Sequence, residues 1–274
     1  ATGTYLQQHG LAAGGCPEEM NASSPEIIQM MAREYFEAGS DMVETNSFGG
    51  SRYMLTKYDY GDRVFELNYL GAKHARSVAP QDCFVLGSIG PTGEFLEPNG
   101  TATKEMMYEV FSEQCEGLAA GGIDAFCIET MSDLDEISLA IKAAKEKTGL
   151  PVIATMTYDK GPRGYFTMFG VTPASAAKKL SEAGADVVGS NCGLAIEHMI
   201  EIISSMRAST NMPILAHVNA GIPKLINGKE ILYPDTPKHM VQQMEHMIHA
   251  GANIIGGCCG TSPEYIQEFS KTLR

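Results

Sequence analysis

The chain has 274 residues, of which 44% are hydrophobic, and this is enough apolar material for one compact domain of barrel or large α/β size. Its 20 Lys and Arg residues stand against 33 Asp and Glu residues, and a formal charge of −13 repels phosphate backbones and anionic lipid. We therefore expect neither a nucleic-acid partner nor a membrane partner. No apolar run approaches the roughly 18 residues of a membrane-spanning helix, and the first residues lack a leader pattern, so a cytoplasmic location is expected.

The predicted elements alternate along the chain. The opening segment, ATGTYLQQHG, is expected to be a loop that follows a strand. A hydroxyl residue followed by Pro predicts a helix start, because the hydroxyl can cap the first turn and Pro fits into it. Such starts occur at Ser24-Pro25, Thr236-Pro237 and Ser262-Pro263. Seven apolar segments predict strands, and these segments begin at Glu37, Asp82, Ala120, Pro151, Glu182, Met212 and His249.

Four of these segments share one pattern, in which Ala-Gly ends a helix, Asp or Asn follows two residues later, and a short apolar strand comes next. The glycines are Gly39, Gly122, Gly184 and Gly251. Gly suits the left-handed position that ends a helix, and the apolar run suits a buried parallel strand. One further strand lies in each gap between the glycines. Each repeat therefore marks a joint between a helix and a strand.

This alternation predicts the α/β class and a (β/α)₈ TIM-type barrel that forms a single domain over residues 1–274. The first strand is expected to be short or to lie upstream of Ala1, and an open doubly wound sheet is the alternative. A Gly- and Pro-containing loop from Gly87 and a hairpin from Ile222, with Asn227-Gly228 as its turn, are expected at the carboxyl end of the strands, where barrel active sites lie.

Aligning the four repeats on their glycines places polar residues at matching positions after each strand. The seventh position holds Asn46, Glu129, Asn191 and Cys258, and the eighth holds Ser47, Thr130, Cys192 and Cys259. Residues at equal height in a barrel form one layer. We therefore expect these side chains to meet at the catalytic mouth.

Three of these residues, Cys192, Cys258 and Cys259, offer soft ligands from two strand ends. This set suits a zinc ion with an open fourth position. Three thiolates leave the zinc site with one net negative charge, which favours a substrate thiolate as the fourth ligand and predicts thiol alkylation. Small buried hydrophobes and a redox pair are the alternatives. The other cysteines in strand or helix patterns, Cys83, Cys115 and Cys127, are expected to be buried hydrophobes.

Glu129 follows the apolar run AFCI at a strand end, where a solvated carboxylate is unexpected. We expect it to bind a substrate ammonium group, and an ordinary surface carboxylate is the alternative. The acids that follow, Asp133 and Glu136, suit either the start of a helix or a ligand role. His217 alternates with Asn219 along one strand, so it either shares the face of Asn219 or packs in the core.

The segment GGCCGTSPEYI from Gly256, together with SNCG from Ser190, resembles the homocysteine S-methyltransferase family, including the homocysteine-binding module of cobalamin-dependent methionine synthase. Further matching segments follow the order of the family, and they are ATGT from Ala1, ETNSFGG from Glu44, SIGPTGE from Ser88, IETMSDLDE from Ile128 and VNAGIP from Val218. The resemblance covers nearly the whole chain. The opening Asp of the family would lie just before Ala1.

The resemblance implies a zinc barrel that methylates homocysteine to methionine, with the three cysteines as catalytic zinc ligands and homocysteine sulfur as the fourth. It also implies that Glu129 holds the amino group and that Asn219 occupies the open zinc position when substrate is absent. The remaining implied substrate contacts are the backbone amides of Thr2, Gly3 and Thr4 and the side chains of Asn46 and Asn191.

The methyl donor implied by the GPTG and CCGTSPE segments is methylcobalamin, carried on a separate corrinoid protein. S-methylmethionine and betaine are the alternatives within the enzyme class. An aromatic cage for betaine would be built best with Trp, which this chain lacks. An alternative of a different class is a zinc- and thiol-binding module without turnover.

Overall fold

The computed structural model describes residues 2–226 and 230–274. Its helices, numbered in chain order, are α1 (Thr2–Gln8), α2 (Met20–Ser23), α3 (Pro25–Glu37), α4 (Arg52–Thr56), α5 (Val64–Val78), α6 (Lys104–Ala120), α7 (Leu134–Thr148), α8 (Pro173–Glu182), α9 (Ile196–Arg207), α10 (Pro237–Gln242), α11 (Met244–His249) and α12 (Pro263–Leu273). Its strands are β1 (Met42–Glu44), β2 (Phe84–Ile89), β3 (Ala125–Met131), β4 (Val152–Met156), β5 (Asp159–Gly161), β6 (Gly164–Phe166), β7 (Val187–Asn191), β8 (Ile214–Val218), β9 (Lys224–Ile226), β10 (Glu230–Leu232) and β11 (Ile254–Gly257).

Seven of these strands form one parallel sheet in the order β1-β2-β3-β4-β7-β8-β11. They are the seven strands that the apolar segments predict. The sheet is curled, because Glu44 of β1 and His217 of β8 are far apart in this order and yet their side chains approach to 3.4 Å. The α/β class and the TIM-type barrel are therefore confirmed.

The barrel is open along one seam. Within the described residues, no hydrogen-bonded ladder joins β1 to β11, and no strand precedes β1. A cavity of about 340 Å³ lies along this seam, between the two edge strands and helices α3 and α12. The described residues thus supply seven parallel strands of the predicted barrel.

The core has two layers because both faces of the sheet are buried. Side chains such as Phe126 and Val188 point outward and pack against the helices. Alternate side chains point into the barrel, where Leu86, Cys127, Ile153 and Leu215 form a separate cluster. Burial on both faces explains why the strands are nearly continuous apolar runs in the sequence.

The Asp or Asn of the repeated pattern fastens each new strand to its neighbour. Asp124 donates its backbone N–H to the Val85 carbonyl, and its side chain accepts the Val85 N–H at 2.7 Å. Asp186 makes the same pair with Val152, and Asn253 makes it with Ile214, with side-chain bonds of 2.7 and 2.9 Å. We refer to these paired bonds as strand clips. They fix the register of three strand pairs at the amino end of the barrel.

The first repeat lacks this side-chain bond. Asp41 faces the seam cavity, and its carboxylate pairs with Arg274 at 2.5 Å on the surface. Both side chains of this pair are more than half exposed. The first repeat therefore shares the sequence pattern of the others but not their strand clip.

The prediction of a loop at the start of the chain is wrong, because residues Thr2–Gln8 form helix α1. Tyr5 and Leu6 are buried against Ile28 and Met31 of α3, and the Tyr5 hydroxyl donates to Glu34 at 2.9 Å. Packing of this apolar face onto α3 stabilises a helix that is too short to be stable alone.

Two other regions differ in detail from the predictions. The helix that begins at Pro237 ends at Gln242, and α11 follows after a break at Gln243. The predicted hairpin from Ile222 is present as the antiparallel pair β9 and β10, while its Asn227-Gly228 turn lies outside the described residues. The hairpin of β5 and β6 has no counterpart in the predictions.

No helix in residues 2–226 and 230–274 combines the length and the apolar character needed to cross a membrane.

The strand clips predict that two aspartates of the repeated pattern contribute unequally to the free energy of unfolding. Replacing Asp124 with Ala leaves the Val85 N–H without its acceptor, so the free energy of unfolding should fall by about 1–3 kcal/mol. Asp41→Ala is the matched control, because it removes only an exposed ion pair worth about 0–1 kcal/mol. Urea unfolding measures both variants, and equal losses would contradict the role of the clip.

Candidate metal centre and substrate site

Cys192, Cys258 and Cys259 meet at the carboxyl end of the barrel. Cys192 follows β7 and Cys258 follows β11, and β8 lies between these two strands. The Cys192 N–H donates to the His217 carbonyl at 3.0 Å, and the Cys258 N–H donates to the Val218 carbonyl at 2.7 Å. Both cysteine loops are thus tied to the same strand.

The three sulfur atoms lie within 4.8 Å of one another, and those of Cys192 and Cys259 are 3.8 Å apart. Ligands at about 2.3 Å from a tetrahedral zinc are separated by about 3.8 Å. The three thiols are only half-buried, so a fourth ligand can reach them. The donor set and spacing therefore fit a zinc ion with three protein ligands.

The thiols of the cluster differ in the direction of their pKa shifts. Hydrogen bonds from Cys192 and Cys258 hold the pKa of the Cys259 thiol far below its usual range, whereas donation by Cys258 to its neighbours raises its own pKa well above that range. The cluster therefore favours one thiolate that is stabilised by neighbouring thiols. A bound cation would be needed to stabilise three thiolates at once.

The backbone turns sharply where the functional side chains leave the strands. Thr130 and Cys192 occupy the same place in the repeated pattern, and both have φ of 60°. This left-handed conformation is costly for residues with a Cβ atom and persists where the surroundings enforce it. Asn191 helps to hold Thr130 in this conformation, since its Oδ1 accepts the Thr130 N–H at 2.7 Å.

Glu129 lies at the end of β3 with its carboxyl buried inside the mouth of the barrel. The Ser88 hydroxyl donates to one carboxyl oxygen at 2.6 Å, and the Asn191 amide donates to the other at 3.1 Å. Burial and the nearby carboxyl of Glu44 raise the pKa of Glu129 to about 8. A buried carboxyl of this kind is suited to receive a cation.

Asn191 connects this carboxyl with the thiols. Its Nδ2 atom lies 3.1 Å from Glu129, 2.7 Å from the Thr130 hydroxyl and 3.8 Å from the Cys258 sulfur. Its Oδ1 also accepts from the Thr155 hydroxyl at 2.7 Å. A single buried amide therefore spans the distance between the acid and the cysteine cluster.

Asn219 contacts the cluster through the backbone of Cys259. It follows β8, is buried, and accepts the Cys259 N–H through its Oδ1 at 3.1 Å. The structure thus places this residue against the cysteine loop. Its contact with a metal stays a prediction.

The amide of Asn46 is held by the segment before α3. It donates to the Pro17 carbonyl at 2.7 Å and to Asn21 Oδ1 at 2.9 Å. The Ser47 hydroxyl donates to the Ser88 carbonyl at 2.7 Å. The contact of Asn46 with substrate stays an untested prediction.

Thr2, Gly3 and Thr4 form the start of α1. Thr2 lines the seam cavity, and Glu44 and His217 line the same cavity. The start of α1 therefore lies beside the barrel interior. The contact of these three amides with a substrate carboxylate stays a prediction.

A second cluster lies inside the barrel, formed by Glu44, Cys127 and His217, whose ligand atoms are within 4.8 Å of one another. Burial lowers the pKa of His217 to about 4, so its imidazole is neutral at pH 7. Glu44 and Cys127 were not among the predicted site residues. Strand alternation could have indicated them, because they lie two residues before Asn46 and Glu129 and so point to the same side.

Two contacts near the mouth were not predicted. Glu136 is buried and accepts both the N–H and the hydroxyl of Thr92, at 2.8 and 2.7 Å, which fastens the loop after β2. Tyr233 follows β10, and its ring packs against Gly260, the residue after Cys259. Neither contact has a local sequence signal, because the partners are 44 and 27 residues apart.

Comparisons with known proteins agree with this geometry. The family model for homocysteine S-methyltransferase matches residues 1–273. Methionine synthases from Mycobacterium tuberculosis and Mycobacterium leprae are 32% and 31% identical to the chain over 291 residues, covering 100% of it but 24% of each relative. The chain thus spans about a quarter of the length of these relatives.

The homocysteine methyltransferase MmuM from Escherichia coli, in its metallated form, has the same fold. The two structures give a TM-score of 0.82 at 19% sequence identity, and the match covers 99% of this chain and 93% of MmuM. The apo form of MmuM gives a TM-score of 0.75 with the same coverage. The family match extends over almost every residue, and the chain belongs to the homocysteine S-methyltransferase family.

Proposed function

We propose that residues 1–274 form one zinc-dependent methyltransferase barrel that methylates the sulfur of homocysteine to give methionine. The observation that carries the proposal is the convergence of three thiols with a buried carboxyl at one barrel mouth, joined by Asn191. Family membership supports the choice of homocysteine.

Cys192, Cys258 and Cys259 would hold the zinc. When bound, the metal supplies the means to keep the substrate sulfur as a thiolate near neutral pH, where a free thiol is mostly protonated. The chain contributes by fixing the three ligands before the metal arrives, through the two backbone bonds to β8. Asn219 would fill the open position in the absence of substrate, and its bond to the Cys259 N–H supports this role.

Glu129 would bind the substrate ammonium group. Ser88 and Asn191 hold its two oxygens in place, so the carboxyl is oriented before substrate enters. Its raised pKa means that the acid is largely neutral at pH 7 and becomes charged when a cation is placed beside it. This arrangement favours an amino-acid thiol over a simple alkyl thiol.

For the methyl donor we propose methylcobalamin carried on a separate corrinoid protein. The similarity to methionine synthases supports methylcobalamin as the donor. The sulfur lone pair forms the new S–C bond, and the electron pair of the broken bond stays on the donor. S-methylmethionine and betaine are the alternative donors, and a binding module without turnover is the alternative function. A cytoplasmic location is proposed because free cysteines suit a reducing compartment.

The donor proposal predicts that zinc-loaded protein forms methionine from homocysteine and methylcobalamin. The measurement is methionine formation with each of the three donors in parallel, and Cys258→Ser provides the inactive control. Product from S-methylmethionine alone would favour the sulfonium donor. No product from any donor, with homocysteine still bound, would favour the binding module.

The zinc proposal predicts one zinc ion per chain. Cys258→Ser should lose most of its zinc while far-ultraviolet circular dichroism is unchanged, because removal of one thiolate weakens the metal site and not the barrel. Cys83→Ser is the matched control, since this thiol lies at the amino end of β2, away from the cluster. Full zinc retention after replacing both Cys192 and Cys259 would contradict the assignment.

The role of Glu129 predicts a selective loss of affinity. Glu129→Gln removes the charge that pairs with ammonium, and the loss of a charge-assisted hydrogen bond costs roughly 1.5–3 kcal/mol, or about one to two decades in affinity. Binding of homocysteine should weaken by this amount, with zinc content unchanged. A simple alkyl thiol is the control, and an equal loss for both thiols would show that the residue acts on the metal site or the fold.

The raised pKa of Glu129 predicts a pH-dependent stability. Between its ordinary pKa of 4.5 and the folded value of about 8, the unfolded chain releases this proton while the folded chain keeps it, so stability falls as pH rises. Metal-free wild type should lose on the order of 2–4 kcal/mol relative to Glu129→Gln between pH 5 and pH 8. Urea unfolding at both pH values tests this, and parallel curves for the two proteins would contradict it.

A further inference from the structure

The second cluster, inside the barrel, lies one layer below the residues of the mouth. Its members, Glu44, Cys127 and His217, belong to β1, β3 and β8, and their ligand atoms lie within 4.8 Å of one another. Cys127 and His217 come two residues before Glu129 and Asn219, which places the cluster roughly 6–7 Å deeper along the strands. We refer to these three residues as the inner cluster.

The carboxyl of Glu44 lies against the inner cluster with one oxygen unsatisfied. Its Oε1 atom is buried and has no hydrogen-bond partner among the described residues. His217 Nδ1 lies 3.4 Å from this oxygen, without the geometry of a hydrogen bond. Glu129 differs, because Ser88 and Asn191 donate to its two oxygens. A buried oxygen without a donor is unfavourable, and a cation would satisfy it.

The surroundings leave space for an ion at the inner cluster. Gly256 of β11 makes room for the His217 ring, since a Cβ atom there would lie 2.6 Å from its Cδ2 and 2.7 Å from its Nε2. Glu44 and His217 also line the seam cavity of about 340 Å³. A hydrated ion can therefore reach the cluster from the seam, and a water molecule can serve as a further ligand.

We propose that the inner cluster is a second metal site, which binds a divalent ion such as Zn²⁺ or Co²⁺ through Glu44, Cys127 and His217. A thiolate, an imidazole and a carboxylate suit these ions, whereas Ca²⁺ and Mg²⁺ prefer oxygen ligands alone. The thiolate and the carboxylate balance the two positive charges, so the occupied site carries no net charge in the barrel interior. Protons displaced from the ligands pass to solvent.

The inference does not depend on the proposed zinc site at the mouth, which differs in its ligands. The cysteine cluster should fill first, because it offers three soft thiolates and the inner cluster offers one. Protein isolated without added metal should therefore carry one ion. The inner cluster should fill when metal is added in excess, which gives two ions per chain.

The test is a Co²⁺ titration of a background variant with Cys192→Ser, Cys258→Ser and Cys259→Ser, in which the cysteine cluster has no thiolate. This variant should bind one Co²⁺ per chain and show a thiolate charge-transfer band. Adding Cys127→Ser should abolish the band and raise the dissociation constant of Co²⁺ at least about tenfold, because loss of a ligand costs no less than loss of an outer partner. Cys115→Ser is the matched control, since this thiol is equally buried but lies in α6.

His217→Gln in the same background should weaken Co²⁺ binding by a similar factor while the charge-transfer band is kept, because the thiol is still present. X-ray absorption at the zinc edge needs no substitution. Wild type loaded with two zinc ions should show about two sulfur neighbours per ion, the mean of three at the cysteine cluster and one at the inner cluster.

No Co²⁺ bound to the background variant in excess metal, with its circular dichroism unchanged, would overturn the inference. Equal weakening by Cys127→Ser and Cys115→Ser would also overturn it, and so would a wild type that binds one zinc with three sulfur neighbours and takes no second ion. A wild type that binds one zinc with a single sulfur neighbour would instead contradict the cysteine site. The failures of the two proposals are therefore distinct.

Discussion

The strand clips at the amino end of the barrel set the height of the groups at its mouth. Asp124, Asp186 and Asn253 accept the N–H groups of Val85, Val152 and Ile214, so β3, β7 and β11 each start in a matching register against the preceding strand of the sheet. Five residues further along, these strands deliver Glu129, Asn191 and Cys258, respectively. Because extended parallel strands rise by about 3.3 Å per residue, equal lengths from equal starts bring the acid, the amide and the thiol to one layer.

Strand β8 then sets the width of the thiol cluster. It accepts the Cys192 N–H on one side and the Cys258 N–H on the other, so the ladder continues past the ends of β7 and β11. The two loops cannot separate without breaking these bonds. The sheet therefore helps to set the spacing of the sulfur atoms. Electrostatic repulsion opposes this arrangement of the cysteines, because three thiolates repel one another until a cation is present.

Local patterns predicted the strands, their order along the chain and the convergence of the thiols, because each repeat contains both the clip residue and the functional residue. The features that could not be predicted depend on contacts between residues that are far apart in the sequence. Asn46 has the same place in the repeat as Asn191, but its amide donates to acceptors at Pro17 and Asn21. Helix α1 exists because α3 buries its apolar face, and the contact of Tyr233 with the cysteine loop depends on a hairpin that intervenes in the chain.

In the proposed zinc centre, the neutral state of Glu129 limits the accumulation of negative charge. Three thiolates and one zinc ion carry one net negative charge, and a substrate thiolate adds another. A permanently charged carboxylate, joined to the same cluster through Asn191, would oppose this accumulation of charge. In the proposed mode of binding, burial would keep Glu129 protonated until the ammonium group of the substrate arrives, and the acid would then release its proton to solvent and form a pair without net charge. The acid would therefore recognise the amino group without adding to the negative field at the reacting sulfur, and a thiol that lacks the amino group would leave it neutral.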